Sequence, residues 1–164
     1  MTSLRENILF YLAALFTLSA LVFSVVLDAQ CCAPTRYLAP VFGASALVLM
    51  IWPMFTLRRY GQSQPGNSYM QATTIVDQDL YAVVRHPQYL GYMCLNMTFM
   101  LVSPHWLIIL LGSLAIVLFY LIALQEEKHL IRDFGRAYQE YMGRAPRFNI
   151  ISGLVRSIDY RGKG

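Results

Sequence analysis

The residues best suited to chemistry lie at positions 85–91, which read RHPQYLG and lead into an apolar run. Proline is tolerated in the first turn of a helix, because the N–H group that it lacks would have no partner there. A helix that begins at Pro87 would present free N–H groups and a positive dipole end beside the side chains of Arg85 and His86. That setting favours a bound carboxylate or phosphate. The alternative is that Arg85 and His86 only anchor the helix at a lipid interface.

A second candidate group is the acid pair Glu126 and Glu127, which follows the last long apolar run. Adjacent carboxylates at that end of a helix repel each other and oppose its dipole, so they need a positive partner. Pairing with Arg85 or Lys128 would make them structural, whereas a cationic ligand would make them functional. Glu126 and His129 have the Glu-x-x-His spacing of carboxylate metal sites. Such sites need further carboxylates that the apolar runs lack, so we expect no metal site.

The composition indicates an integral membrane protein. Apolar residues make up 57% of the chain and charged residues 13%, about half of the roughly 25% typical of soluble domains. The net charge is +4, but the basic residues lie between and after the apolar runs without interleaved aromatics. Contact with anionic lipid headgroups is therefore expected, and nucleic acid is not. The three cysteines, Cys31, Cys32 and Cys94, have neither zinc-site nor disulfide spacing, and they receive no role.

The apolar runs predict an all-α protein with four transmembrane helices, at about 8–27, 37–57, 87–102 and 106–127. Three of these runs have about 20 residues, which is enough to cross a bilayer core of about 30 Å. The third is short and would span only if its helix begins by Pro87 or the bilayer thins locally. A signal peptide is the alternative for the first run, but its apolar part would be shorter, about 7–15 residues.

The turn at residues 103–105 is so short that the third and fourth helices must form an antiparallel hairpin. The hairpin brings Arg85 and His86, at the start of one helix, toward Glu126 and Glu127, at the end of the other. With the N-terminus inside, 12 of the 13 Lys and Arg residues face the cytoplasm, so both termini are predicted to be cytoplasmic. The cell membrane and the endoplasmic reticulum are equally compatible with this pattern.

The polar tail is predicted to form an amphipathic cytoplasmic helix at about 128–142. Leu130, Phe134, Tyr138 and Tyr141 have the spacing of one helical face. On the other side, Arg136 and Glu140 are spaced to form an i,i+4 ion pair. We also expect a short interfacial helix within 75–84, and little order beyond one turn after residue 151.

Three motifs together resemble one group of enzymes. They are Arg-His-Pro-x-Tyr-x-Gly at 85–91, Glu-Glu-x-x-Leu at 126–130, and Phe-Gly-x-x-Tyr-x-x-Tyr at 134–141 with Pro-Arg at 146–147. This pattern resembles the membrane methyltransferases that include isoprenylcysteine carboxyl methyltransferases and phospholipid N-methyltransferases. The match covers about residues 75–150, which we expect to be the catalytic half of a single domain, 1–164.

The resemblance implies that the cofactor is S-adenosylmethionine, held on the cytoplasmic side. The residues implied to line its site are Tyr81, His86, Pro87, Tyr89, Gly91, Glu126, Glu127, Tyr138 and Tyr141. Catalytic or acceptor-orienting roles are implied for Arg85, Glu127 and Arg147. One departure lies upstream of the motif, where the family often has Gly-x-Tyr and this chain has Asp79-Leu80-Tyr81.

The expected function is methyl transfer to a membrane-embedded lipophilic acceptor at the cytoplasmic interface. A prenylcysteine-like carboxylate, a lipid amine headgroup and a small lipophilic thiol are all compatible with the motifs. A carboxylate acceptor would need no base, whereas an amine must be neutral and could pass its proton to Glu126 or Glu127. The alternatives are an NADPH-dependent reductase of membrane lipids, such as the sterol reductases, and a non-catalytic small membrane protein. We expect a monomer.

Overall fold

The described part of the protein consists of helices and short connections. The structure is a computed structural model that describes residues 4–27, 33–61 and 74–161. Within these ranges there are six α-helices and one 3-10 turn, and no strand, which confirms the predicted all-α class. The helices are α1 (Leu4–Val26), α2 (Ala33–Tyr60), α3 (Pro87–Val102), α4 (Trp106–Phe134), α5 (Arg136–Arg144) and α6 (Ile150–Arg161).

Among the described residues, three helices are long and apolar enough to cross a membrane. They are α1 over Ile8–Val26, α2 over Tyr37–Tyr60 and α4 over Trp106–Phe134. Helix α3 has 16 residues and a length of about 24 Å at 1.5 Å per residue, less than a bilayer core of about 30 Å. The fourth predicted span therefore stays a prediction.

The described residues divide into two compact units, and α2, α3 and α4 each contribute to both. The first unit contains residues up to 48 together with 91–126. Here the antiparallel hairpin of α3 and α4 is confirmed. The rings of Tyr92 and Phe119 stack with centroids 4.9 Å apart, and a Cβ added at Gly112 would lie 2.8 Å from the sulfur of Met100.

Helix α1 runs in the same direction as α3 within the first unit. The Asn96 side-chain amide donates to the Thr17 hydroxyl over 3.1 Å, and the Ser103 hydroxyl donates to the Leu27 carbonyl over 3.0 Å. The C-terminal end of α1 and the α3–α4 turn therefore lie at the same end of this unit. Hydroxyl and amide contacts of this kind are a usual means of joining helices in membranes.

The second unit contains residues 49–90 and 127–164, and its C-terminal region differs from the prediction. Residues 128–134 belong to α4, and a separate helix, α5, begins at Arg136. Gly135 lies between them with φ +56°, a left-handed conformation that glycine adopts without steric cost. The predicted single helix at 128–142 is wrong in its boundaries because this glycine allows the chain to change direction.

The predicted apolar face nevertheless forms a core. Tyr138 and Tyr141 of α5 are buried with Ala145, and Leu130 and Phe134 of α4 pack against them. Three further partly buried residues complete this cluster: Ile75, Ile131 and Met142. The predicted i,i+4 pair between Arg136 and Glu140 is present at 3.2 Å, with both side chains exposed.

A second expectation about this unit was wrong. Residues 150–161 form a complete helix, α6, where little order was expected. Its Gly153 is buried, and a Cβ added there would lie 1.9 Å from the carbonyl oxygen of Val83. This close packing of Gly153 against Val83 is a tertiary contact, and no local sequence pattern predicts it. Upstream, the short helix expected within 75–84 is present as a four-residue 3-10 helix, Asp79–Ala82.

The departure at Asp79 from the glycine of the family pattern has a structural explanation. Among the described non-glycine residues, Asp79 is the one with positive φ, at +52°. Aspartate is one of the few non-glycine residues that adopt this conformation. Its carboxylate also accepts a hydrogen bond from the buried Thr56 hydroxyl at 3.0 Å. The side chain therefore offsets the conformational cost that glycine would avoid.

Replacing Asp79 should show both effects. Asp79→Asn keeps an acceptor for Thr56 and tolerates the backbone, so we expect nearly unchanged stability. Asp79→Val removes the acceptor and adds a steric cost of about 1–2 kcal/mol, so the melting temperature in detergent should fall, with Asp79→Gly intermediate. If Asp79→Val has the same melting temperature as the wild type, residue 79 does not keep its positive φ in solution.

Candidate active site

The centre of the candidate site is the carboxylate of Glu127, which is only 3% exposed. Arg85 donates to Oε1 from Nε over 3.0 Å and from Nη2 over 2.8 Å. Arg147 donates from Nε to Oε1 over 2.9 Å and from Nη2 to Oε2 over 2.5 Å. Two guanidinium groups therefore bind one buried carboxylate, a charge-assisted arrangement that is stronger than hydrogen bonds between neutral groups.

His86 completes the surroundings of this carboxylate. Its Nε2 lies 3.3 Å from Oε1 of Glu127. The imidazole stacks on the ring of Tyr89 with centroids 5.7 Å apart and lies 6.1 Å from the ring of Phe148. The aromatic neighbours and the carboxylate together fix the position of the ring.

Local structure explains why Arg85 and His86 take these positions. Pro87 is the first residue of α3, and the carbonyl of His86 accepts the hydrogen bond from the N–H of Leu90. The backbone N–H of Arg85 donates to the carbonyl of Pro146 over 3.0 Å. The predicted start of the helix is thus confirmed, and its positive dipole end lies on the side of the Glu127 carboxylate.

Arg85 also stabilises the end of α5. Its Nη1 donates to the carbonyl of Met142 over 2.9 Å and to that of Ala145 over 2.6 Å. The last carbonyls of a helix lack partners within the helix, and an arginine side chain is one way to supply them. Arg85 therefore connects the start of α3, Glu127 of α4 and the segment that leads to Arg147.

The charge balance of this group limits what it can do. Arg85 and Arg147 place two guanidinium groups around Glu127, and guanidinium groups attract anionic ligands. The Arg147 side chain is 27% exposed, compared with 7% for Arg85 and 4% for Glu127. Of these three residues, Arg147 is the one within reach of a ligand from solvent.

The two predicted tyrosines on α5 are core residues. Tyr138 and Tyr141 are 3% and 4% exposed, and the Tyr141 hydroxyl donates to the carbonyl of Tyr81 over 2.7 Å. Burial, reinforced by the neighbouring phenols of Tyr138 and Tyr81, raises the pKa of Tyr141 far above its ordinary value. Tyr141 therefore stays neutral and ties α5 to the 3-10 turn.

The remaining predicted residues lie on the same helices. Pro87 and Gly91 are buried in α3, and Glu126 is half-buried in α4. Three groups that contact Arg85 or His86 were not predicted: the Phe148 ring and the carbonyls of Met142 and Ala145. No sequence motif marks an aromatic neighbour or a backbone carbonyl. Among the described residues, no three His, Cys, Asp or Glu side chains are placed to share a metal ion.

An open cavity of about 180 Å³ lies beside this group in the second unit, and of the predicted site residues only Tyr141 lines it. Arg144 and Asp77 pair across 3.3 Å at its wall. The other lining residues are Gln78, Ala82, Ala145, Arg156 and Ser157. The cavity therefore shares Tyr141 with the predicted cofactor residues, but none of the residues that surround the Glu127 carboxylate lines it.

Comparison with known proteins decides the family. The family model for phospholipid methyltransferase matches residues 34–137, which is more than half of the chain. The chain belongs to the phospholipid methyltransferase family. A methanethiol S-methyltransferase 2 from Bradyrhizobium diazoefficiens is 42% identical over 69 residues. That match covers 41% of this chain and 25% of the relative. No solved structure is significantly similar.

Family membership agrees with the apolar helices in identifying a membrane protein of a methyltransferase family. The matched region of this phospholipid methyltransferase family member includes Arg85, His86 and Glu127. Arg147 lies beyond its end, yet the structure binds Arg147 to the same carboxylate. The matched region and the following segment therefore contribute to one group of side chains.

Breaking the pair between Arg85 and Glu127 should strongly destabilise this family member. Arg85→Ala leaves a buried carboxylate with one guanidinium fewer and exposes the carbonyls at the end of α5. Loss of one partner of a buried pair typically costs about 3–5 kcal/mol, so we expect a large drop in melting temperature. Arg85→Lys should recover only part of it, because an ammonium cannot reproduce the planar fork.

The matched control is Arg136→Ala, which breaks an ion pair of exposed side chains. Exposed pairs contribute at most about 1 kcal/mol, so its melting temperature should stay near that of the wild type. An equal decrease in melting temperature in the Arg85→Ala and Arg136→Ala variants would contradict the assignment of Arg85 to a buried network.

Tyr141 should make stability depend on pH at the alkaline end. Because its pKa is raised in the folded state, it contributes stability fully below the unfolded value of about 10. That stability is lost as the pH rises from there toward the folded pKa. Tyr141→Phe should be less stable at neutral pH by about 1 kcal/mol, through the lost hydrogen bond to Tyr81.

The measurement is the free energy of unfolding of both proteins as a function of pH. The difference between wild type and Tyr141→Phe should narrow above pH 10, because only the wild type has this phenol to ionise. A difference that stays constant to the alkaline limit would show that Tyr141 is not buried as a neutral phenol.

Proposed function

We propose that this protein is an S-adenosylmethionine-dependent methyltransferase that acts on a membrane-dissolved, lipophilic acceptor at the cytoplasmic interface. The observation that carries the proposal is the Glu127 carboxylate bound by Arg85, His86 and Arg147. These residues come from the separate motifs on which the resemblance rests, and the structure brings them together in a member of a methyltransferase family.

The charge of the group supports the binding of an anion. The cofactor has a carboxylate on its methionine part, and acceptors of the expected kinds carry a carboxylate, a thiolate or a headgroup phosphate. We assign the contact with one of these anions to Arg147, the partly exposed guanidinium, because arginine binds carboxylates and phosphates through two parallel hydrogen bonds. When bound, S-adenosylmethionine supplies an activated methyl group on its sulfonium.

Glu127 is best assigned as a positioning residue. Its oxygens already accept hydrogen bonds from both guanidinium groups, and a carboxylate so occupied is a poor base. Glu127 would instead hold Arg85 and Arg147 in fixed orientation, so that little reorganisation is needed when a ligand binds. A base for an amine acceptor, if one is used, would be Glu126, whose side chain is half-buried one residue earlier.

The acceptor classes differ in what they require of the protein. A carboxylate reacts without a base, and a thiol reacts as its thiolate, which nearby positive charge favours. The name of the bacterial relative refers to a thiol acceptor, whereas the family name refers to phospholipids. The two arginines favour an acceptor with an anionic group near the reacting atom. The carboxylate and the thiolate are themselves anionic, and a phosphoethanolamine headgroup carries an anionic phosphate next to its amine.

The proposed topology places this chemistry at a membrane surface. Four spans with both termini in the cytoplasm would put the start of α3 and the end of α4 on the cytoplasmic side, with the water-soluble cofactor. A lipophilic acceptor would approach from the bilayer. The enzyme's contribution would be to orient the two reactants and to exclude water from the displacement.

The first experiment is ligand binding by the purified protein in detergent. S-adenosylmethionine and S-adenosylhomocysteine should raise the melting temperature with the logarithm of their excess over the dissociation constant, and NADPH should not. Arg147→Ala should weaken the response, while Arg136→Ala should leave it intact. A response to NADPH alone would support a reductase, and no response from folded protein would overturn the enzymatic proposal.

The second experiment identifies the acceptor with methyl-labelled S-adenosylmethionine and membranes containing the protein. Label in extracted lipid that survives mild base would indicate a lipid amine. Label released by base as methanol would indicate a carboxylate ester. Label in a volatile thioether after addition of methanethiol would indicate a thiol. Cofactor binding without label in any fraction would contradict methyl transfer to these acceptors.

A further inference from the structure

Helix α6 carries an exposed apolar stripe that the proposed function does not use. Ile151, Leu154, Val155 and Ile158 are spaced i, i+3, i+4 and i+7, which places them on one face of the helix. Their exposed fractions are 78%, 47%, 64% and 71%. Four large aliphatic side chains exposed together on one helix of 12 residues indicate a surface that another apolar phase covers.

The packing of α6 fixes the direction of this stripe. Gly153 is buried against Val83, so closely that a Cβ would collide with the Val83 carbonyl oxygen. At about 100° per residue, the stripe is centred on the side of the helix opposite Gly153. Arg156 also attaches α6 to the end of α5, by donating to the carbonyl of Gly143 over 3.2 Å. The stripe therefore faces away from the rest of this unit.

The net charge of the C-terminal sequence indicates which kind of surface covers the stripe. Residues 143–164 contain five basic residues and one acid. The basic residues are Arg144, Arg147, Arg156, Arg161 and Lys163, and the acid is Asp159. An apolar helical face within a strongly basic segment is typical of helices that lie in the headgroup region of anionic membranes.

We propose that α6 lies along the surface of an anionic bilayer, with its apolar stripe inserted at the boundary between headgroups and acyl chains. The apolar face of α6 thus contacts lipid. The long apolar helices of the same chain already hold the protein in a membrane. The net positive charge of residues 143–164 favours a bilayer with anionic headgroups.

This placement would link the lipid surface to the candidate site. Val83 precedes Arg85 by two residues, and Gly143 lies between the two carbonyls, Met142 and Ala145, that accept from Arg85. Helix α6 is attached to both segments. Lipid contact along α6 would therefore hold in place the segments that position the Arg85 side chain.

The test uses an environment-sensitive fluorescent probe on single cysteines in the full-length protein. Cys31 and Cys32 are replaced by Ser and Cys94 by Ala, and a cysteine is then placed at Ile151, Val155 or Ile158. The control is Glu140→Cys, at an exposed position of α5. Each protein is reconstituted into vesicles of phosphatidylcholine with phosphatidylglycerol, with or without a lipid that carries a quencher on its acyl chain.

We expect a blue-shifted emission and quenching by the acyl-chain quencher at positions 151, 155 and 158, and neither at 140. Protection of the stripe from an aqueous quencher should decrease in vesicles of phosphatidylcholine alone. A probe at 158 that is as accessible to the aqueous quencher as the probe at 140 would overturn the proposal.

The alternative is that a second copy of the chain covers the stripe, and this alternative predicts a different result. Energy transfer between donor-labelled and acceptor-labelled copies at position 158, persisting when the protein is diluted in lipid, would assign the stripe to a dimer interface and contradict the proposal. None of these measurements depends on cofactor binding. A failed methyltransferase assay and a failed lipid contact can therefore be distinguished.

Discussion

The second unit of this protein depends on one buried carboxylate. Glu127 is nearly inaccessible to solvent, and a buried charge is unfavourable unless partners and hydrogen bonds compensate its desolvation. Arg85 and Arg147 supply that compensation, and His86 lies against the same oxygen. The two arginines belong to different segments, one before α3 and one after α5, so satisfying the carboxylate fixes the arrangement of those segments with α4.

The break at Gly135 makes this arrangement possible. A straight continuation of α4 would carry the tail away from Glu127. The left-handed glycine instead turns the chain, and α5 returns so that its final carbonyls meet the Arg85 guanidinium. The Tyr138 and Tyr141 rings fill the space enclosed by this turn. Polar and apolar contacts thus favour the same path, as expected of a consistent fold.

The same network affects how the candidate site can work. Its carboxylate is occupied by guanidinium groups, so the network offers positive charge and fixed geometry in place of a free base. Methyl transfer suits such a site, because the reaction depends chiefly on the orientation of the two reactants. The amphipathic helix α6, attached to the segments on both sides of Arg85, gives this geometry a contact with the membrane surface where a lipophilic acceptor would be found.

The sequence by itself determined the features that depend on local patterns. Long apolar runs predict α1, α2 and α4, Pro87 marks the start of α3, and the three-residue turn after Val102 makes the hairpin unavoidable. That hairpin also predicted that Arg85 and His86 would lie close to the acid pair. These inferences succeed because hydrophobic length, proline geometry and chain connectivity act within a few residues of one another.

The tertiary structure alone decided which acid the arginines bind, where the tail helix breaks and where α6 packs. Nothing local distinguishes Glu127 from Glu126, since the choice depends on which side of α4 meets Arg85 and Arg147. The left-handed backbone of Asp79 is held by Thr56, 23 residues away, and α6 is held by a backbone contact between Gly153 and Val83. Such contacts join residues far apart in the chain, so no periodicity or motif in the sequence encodes them.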